Sequence, residues 1–281
     1  MIFDSHAHLI SNDFVRYPTN PLSGERLLPE QVDNIVTAEN LIEMMDANGV
    51  SCALAVQRAH VYGFDNSYVL NSARRYPNRL TAMCMIDAQA SNAAEIVRSL
   101  VVNGRCSAIR LTEPVRGAEP TWFASNAAKA VWRAAADLGI GMRLHFYAWN
   151  RQYCIPRLLE LAGEFSAVPI VVDHLSSPDP EAGIDGIDEL MERLADRPNV
   201  SILASTINFN RLKNAGQSSA AVVRRVVDLF GSERVTWGSD IAQSAGRYED
   251  MVAAAASAVA ELKDADRHNV LYATGQRLYG R

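Results

Sequence analysis

The sequence predicts an α/β fold, a single parallel (β/α)8 TIM barrel, on three observations. Eight short runs rich in apolar and β-branched residues alternate with eight longer segments of helical period. No composition break or Gly/Ser linker interrupts them, so residues 1–281 read as one domain of the length typical for such a barrel. The main competitor, an open doubly wound sheet, calls for a glycine-rich phosphate loop after its first strand. His6-Ala7-His8-Leu9-Ile10-Ser11-Asn12 contains no glycine.

In chain order the strands are expected at 2–9, 51–57, 80–86, 107–111, 141–146, 170–175, 200–205 and 234–239. The helices between and after them are expected at 37–47, 66–76, 93–102, 126–138, 155–162, 184–195, 219–230 and 248–262. Gly49, Gly104, Gly139 and Gly231 stand just past helix ends, where a residue able to take positive φ closes the last turn. Two connections exceed a minimal turn, 10–36 after the first strand and 112–125 after the fourth. Both follow strand C-termini, so in a barrel both overhang the mouth where active sites form.

Composition narrows the function classes. A net charge of −5, 48% hydrophobic and 21% charged residues describe a globular chain and exclude disordered or collagen-like ones. Basic residues are scattered among acids, which argues against a nucleic-acid surface. The longest apolar run, 251–260, is alanine-rich and too short to cross a bilayer. The N-terminus lacks the basic and apolar stretches of a secretory signal. Cys52, Cys84, Cys106 and Cys154 form no Cys-x-x-Cys pair and are expected as reduced thiols of a cytoplasmic protein. Oligomeric state is left open, a homo-oligomer included.

The six histidines are distributed unevenly. Asp4, His6 and His8 are spaced by two on the first strand, which places them on one face. His145 ends the fifth strand, His174 the sixth and Asp240 the eighth. The intervals of 29 and 66 residues between these three are about one and two βα repeats. All therefore converge on the C-terminal rim, where barrel enzymes keep their chemistry. Packing does not account for so many imidazoles at strand ends; metal ligation does. His268, in an Asp/Arg-rich segment, reads as a surface residue.

The order Asp4-Ser5-His6-Ala7-His8, His145, His174, Asp240 resembles the metal-dependent amidohydrolase superfamily. The stretch from Val56-Gln57-Arg58 to Asp65-Asn66 is similar to the second βα loop of its amidohydrolase-2 branch, which holds sugar, muconolactone-type and pyrone-dicarboxylate lactonases. The resemblance implies one divalent metal on His6, His8, His145 and Asp240, with Zn²⁺ first and Mn²⁺ or Fe²⁺ behind it. It implies Asp240 as the base that takes a water proton and His174 as a hydrogen bond to the substrate carbonyl. The substrate implied is a small anionic lactone or carboxylate, neither nucleic acid nor membrane. Arg110 and Arg116 are candidate carboxylate forks, and Gln57, His60 and Tyr147 candidate pocket walls.

The three lysines, Lys129, Lys213 and Lys263, all fall outside strand ends. Neither a carboxylated-lysine bridge between two metals nor a Schiff base can then be built, and the site reads as mononuclear. The alternative activity is a metal-dependent decarboxylase of an aromatic or muconate-type acid, resembling aminocarboxymuconate-semialdehyde decarboxylase, which shares the histidine and aspartate pattern. The Gln57 to Asn66 stretch and the chain length favour the lactonase.

Overall fold

Eight parallel strands follow one another around the sheet in sequence order: β1 (Ile2–His8), β2 (Val50–Val56), β3 (Leu80–Met85), β4 (Cys106–Thr112), β5 (Gly141–His145), β6 (Ile170–Val172), β7 (Val200–Ser205) and β8 (Val235–Gly238). Helices on the outside return the chain between them, giving the (β/α)8 barrel. The computed structural model describes every residue except 23, 25, 26, 114, 115, 118 and 281. One large apolar cluster, with Leu41, Val97, Trp132 and Leu158, lies between strands and helices. A smaller one, with Phe3, Leu54, Met83, Val171 and Leu203, is enclosed by the strands. Tyr279, from the C-terminal helix Thr274–Tyr279, joins the enclosed cluster.

The seam between β8 and β1 closes by side chains as much as by backbone. One parallel bridge joins Ala7 and Ile241, and the Asp240 amide donates to the His6 carbonyl at 2.7 Å. The Ser239 amide donates to Asp4 Oδ1 at 2.8 Å, and the Ser5 and Thr236 hydroxyls meet at 2.6 Å. Gly238 permits this approach, since a Cβ there would sit 2.6 Å from His6 Cβ.

Several boundaries differ from the sequence expectation, each for a physical reason. β6 stops at Val172 because His174, Leu175, Ser176 and Ser177 all take left-handed φ, between 51° and 60°. Gly104 lies inside its helix, Ala93–Gly104, and Arg105 takes the left-handed cap at φ 59°. Glycine at 104 serves close packing instead, as a Cβ would sit 3.0 Å from Leu70 Cδ2. The fifth helix starts at Arg151 (Arg151–Glu164) and carries Pro156 inside it, because burial of Cys154, Ile155 and Leu158 outweighs the lost backbone bond. The sixth is Glu189–Ala195, started by Asp188, whose side chain accepts from the Met191 amide, while residues Pro180–Gly186 form tight turns. The helix expected at 248–262 ends at Ala258. Helices absent from the expectation include the short Ala59–Tyr62 and Thr121–Ala124, Thr206–Asn214, which follows β7 without a turn, and the C-terminal stretch from Asp264–His268 to Thr274–Tyr279. All four cysteines are free thiols. Among the described residues no helix is long and apolar enough to cross a membrane.

Candidate active site

Simple alternation along β1 puts Asp4 beside His6 and His8, and the structure corrects this. Phe3 faces the enclosed cluster, so alternation would bring Ser5 and Ala7 inward. The pairing of β1 with β2 is irregular between Asp4 and Ala7, and the extra residue there reverses the faces. His6 and His8 thereby turn to the site, while Asp4 stays in the seam, accepting from the His6 and Ser239 amides and from Tyr248 Oη at 3.0 Å.

The bonding partners assign the ring protons. His8 Nδ1 lies 3.2 Å from the Val56 carbonyl, which can only accept; the proton is on Nδ1, and Nε2 is bare. His6 Nδ1 faces Arg143 Nη2 at 3.0 Å, and a guanidinium can only donate. A neutral His6 therefore carries its proton on Nε2, 3.2 Å from the bare His8 Nε2. For His174, the Asn208 amide nitrogen donates to the His174 carbonyl at 2.9 Å, leaving Asn208 Oδ1 to accept from the Ser205 hydroxyl at 3.0 Å. The Ser205 oxygen, 2.6 Å from His174 Nδ1, then accepts from that nitrogen, and His174 Nε2 is bare. Burial holds His6, His8 and His145 well below the usual imidazole range and brings His174 down to about 3, so all four rings are neutral.

Asp240 enters from the turn after β8 with a left-handed φ of 55°. Its Oδ2 accepts from Ser244 Oγ at 2.8 Å. Its Oδ1 is buried without a hydrogen-bond partner and lies 3.6 Å from His6 Nε2 and 3.5 Å from His8 Nε2. Burial raises this carboxyl to about 7, against the pull of Ser244 and of the Arg110 and Arg58 guanidiniums. His6, His174 and Asp240 each offer a ligand atom, all within 4.8 Å of one another, as a cation would require. The neutral donors, the bare Nε2 atoms of His8 and His174 and the orphaned Asp240 oxygen fit a divalent cation. The His145 ring lies beside that of His174, centroids 5.1 Å apart, with its Nδ1 3.3 Å from Thr112 Oγ1.

Beneath the rings lies a buried ion network that joins Arg110, a sequence candidate for substrate binding, to Asp173 and Arg143, which the sequence reading gave no role. Asp173 accepts from Arg110 Nε at 2.7 Å and from Arg143 Nε. Burial alone would raise the Asp173 carboxyl, but the two guanidiniums hold it well below the carboxylate range. Arg143 Nη1 also donates to the Ser5 carbonyl at 2.7 Å and to Tyr279 Oη at 3.1 Å. The sequence did hold a signal for Arg143, which lies two residues before His145 on β5 and so shares its face.

Above the rings opens a cavity of about 370 Å³, lined by His8, Arg58, His60, Arg110, His145, Tyr147, His174, Arg211 and Asp240 among others. Its size suits a small molecule. Arg110 reaches it while tied to Asp173. Tyr147 packs its ring 4.5 Å from that of His145, and His60 sits exposed at the mouth. Two sequence candidates stand off the cavity. Arg116 is exposed with its guanidinium 5.6 Å above the Trp149 ring. Gln57 is buried and pins its own loop, donating to the Gly63 and Asp65 carbonyls.

An L-fucono-1,5-lactonase from Burkholderia ambifaria is 26% identical over 221 residues, 75% of this chain and 72% of that protein. A probable 2-pyrone-4,6-dicarboxylic acid hydrolase from Acinetobacter baumannii superimposes with a TM-score of 0.74 at 21% identity, covering 100% and 99% of the two chains. The 5-carboxyvanillate decarboxylase from Sphingomonas paucimobilis gives 0.71 at 15%, covering 99% and 98%. These two structural likenesses establish the shared fold. The family model described as amidohydrolase matches residues 3–281, and the chain belongs to that family.

Proposed function

We propose that this protein is a metal-dependent lactonase that opens the ring ester of a carboxylated or sugar-derived lactone. The observation that carries the reading is Asp240 Oδ1, a buried carboxylate oxygen without a partner, set between two imidazole Nε2 atoms. A general base needs this placement, together with a pKa near the working pH. The lactonase relative, similar over three-quarters of the chain, supports the same choice.

His6, His174 and Asp240 would hold one divalent cation, Zn²⁺ by the mix of imidazole and carboxylate donors, with His8 and His145, the other two sequence candidates, as the neighbouring imidazoles. When bound, the cation supplies Lewis acidity to the carbonyl and lowers the pKa of water. The Asp240 carboxylate takes a proton from the attacking water while the water oxygen bonds to the lactone carbon. The ring C–O bond breaks, and the same carboxyl returns the proton to the departing ring oxygen, giving hydroxy acid. The donor role first expected of His174 needs a proton on Nε2. Ser205 and Asn208 place it on Nδ1, so His174 serves as ligand or acceptor. Arg110, tied to Asp173 and facing the cavity, fixes the wall beside the carbonyl.

The test is metal analysis of purified protein combined with a panel of sugar, muconate and pyrone lactones followed by proton release. Hydrolysis lost on chelation and restored by Zn²⁺ is the expected result. No hydrolysis of any lactone, with CO₂ released from aromatic carboxylic acids instead, would transfer the site to decarboxylation.

A further inference from the structure

The cavity holds a second orphan, opposite in sign to the first. Arg58, from the loop after β2, lines it, and its Nε is buried without a hydrogen-bond partner. Among the described residues the Arg58 side chain makes no hydrogen bond and no ion pair. The other charged groups on the walls are differently placed. Arg110 is bound through Nε to Asp173, Glu113 accepts from Asn150 Nδ2 at 2.9 Å, and Asp240 faces the histidines. Arg211 reaches the cavity from Thr206–Asn214 but is exposed to water, so its hydration is intact.

Burying a guanidinium N–H without an acceptor is costly, and holding it near a like charge adds to the cost. Both apply to Arg58. Burial brings its pKa down to about 10; Asp240 opposes the shift and Arg110 reinforces it. A neutral carbonyl can accept from the orphan N–H but leaves the charge unmatched, whereas a planar carboxylate supplies two acceptor oxygens and a compensating charge to the fork.

We infer that Arg58 is the specificity-determining anchor of the site and that the substrate bears a carboxylate which docks on it. The inference rests on the lactonase reading and deepens it, selecting a carboxylated lactone over a neutral sugar lactone. It also moves the anion from the sequence candidates Arg110, whose Nε is taken by Asp173, and Arg116, which is exposed, to Arg58.

Binding without turnover tests the anchor separately from the reaction. The probes are isophthalate and glutarate, with their neutral diamides as controls, titrated calorimetrically into the wild-type protein and into Arg58→Met and Arg58→Lys. The carboxylates are expected to bind the wild-type protein and to weaken roughly 10- to 100-fold in Arg58→Met. Arg58→Lys, which keeps the charge and loses the fork, should fall between, and it carries the test if the methionine variant does not fold. The diamides should bind all three proteins alike. Equal carboxylate affinity in the variants, an equal loss for the diamides, or no carboxylate binding to the wild-type protein would each overturn the anchor. If lactone hydrolysis fails while the carboxylates still bind through Arg58, the reaction is misassigned and the anchor stands.

Discussion

Arg143 Nη2 donates to His6 Nδ1 at 3.0 Å, the opposite of what usually faces the second nitrogen of a metal-binding histidine. Such rings normally donate that N–H to a carboxylate or carbonyl, which leaves Nε2 bare for the metal. His8 and His174 follow the rule; His6 does not. For His6 to ligate, its proton must pass to Nδ1, where Asp173 Oδ1 waits at 3.7 Å and Arg143 must yield. Metal affinity therefore carries the cost of that hydrogen bond.

Arg143→Gln should act in two opposite directions. Breaking the buried pair with Asp173 is expected to lower stability by about 3–5 kcal/mol, read from urea unfolding. The glutamine carbonyl can accept from His6 Nδ1, so zinc affinity of the folded fraction should rise about 10-fold by competition with a chromophoric chelator. A fall in both would show that Arg143 does not set the His6 proton.

Asp240→Asn removes the base and keeps the shape. Lactone hydrolysis should drop at least about 100-fold, with the folded secondary structure retained by circular dichroism. Near wild-type turnover would remove Asp240 from the mechanism.

The pH dependence of the metal-free protein follows from the same carboxyl. Burial raises it from an unfolded value of 3.8 to about 7, so between these pH values the folded state binds more protons than the unfolded one. Its contribution to stability is present in full below pH 3.8 and is lost as pH rises through about 7. Urea midpoints corrected with Asp240→Asn as the reference should show this decline, and saturating Zn²⁺ should abolish it.

Gly238→Ala tests the seam. The added methyl meets His6 backbone and Cβ atoms, none of which can swing aside, so stability should fall by about 1–3 kcal/mol. Turnover should fall as well, because the displaced strand carries His6. A variant as stable and active as the parent would mean that the seam is looser than the contacts imply.

Ser205→Ala frees the His174 ring from its tautomer while removing only a hydroxyl. A 10- to 100-fold loss of metal affinity or turnover, with a melting temperature close to wild type, is roughly what such supporting partners contribute. An unchanged enzyme would mean that Ser205 does not set the tautomer.

The sequence by itself determined the barrel and the histidines and aspartate that line its rim. Hydrophobic runs report burial, and strand-end spacing reports which rim a side chain reaches; both are local properties written along the chain. His6, His8, His174 and Asp240 were legible on those grounds. Tertiary structure decided what each can do. The irregular pairing in β1 that expels Asp4 depends on the register with β2. The left-handed turn at His174 depends on contacts with Ser205 and Asn208 some thirty residues away. The Arg143–Asp173–Arg110 network gathers three strands' worth of charge at one buried point, and the unmatched Arg58 shows itself only by the partner it lacks. Proton positions and unpaired charges are relations between distant residues, so they exist only once the barrel has closed.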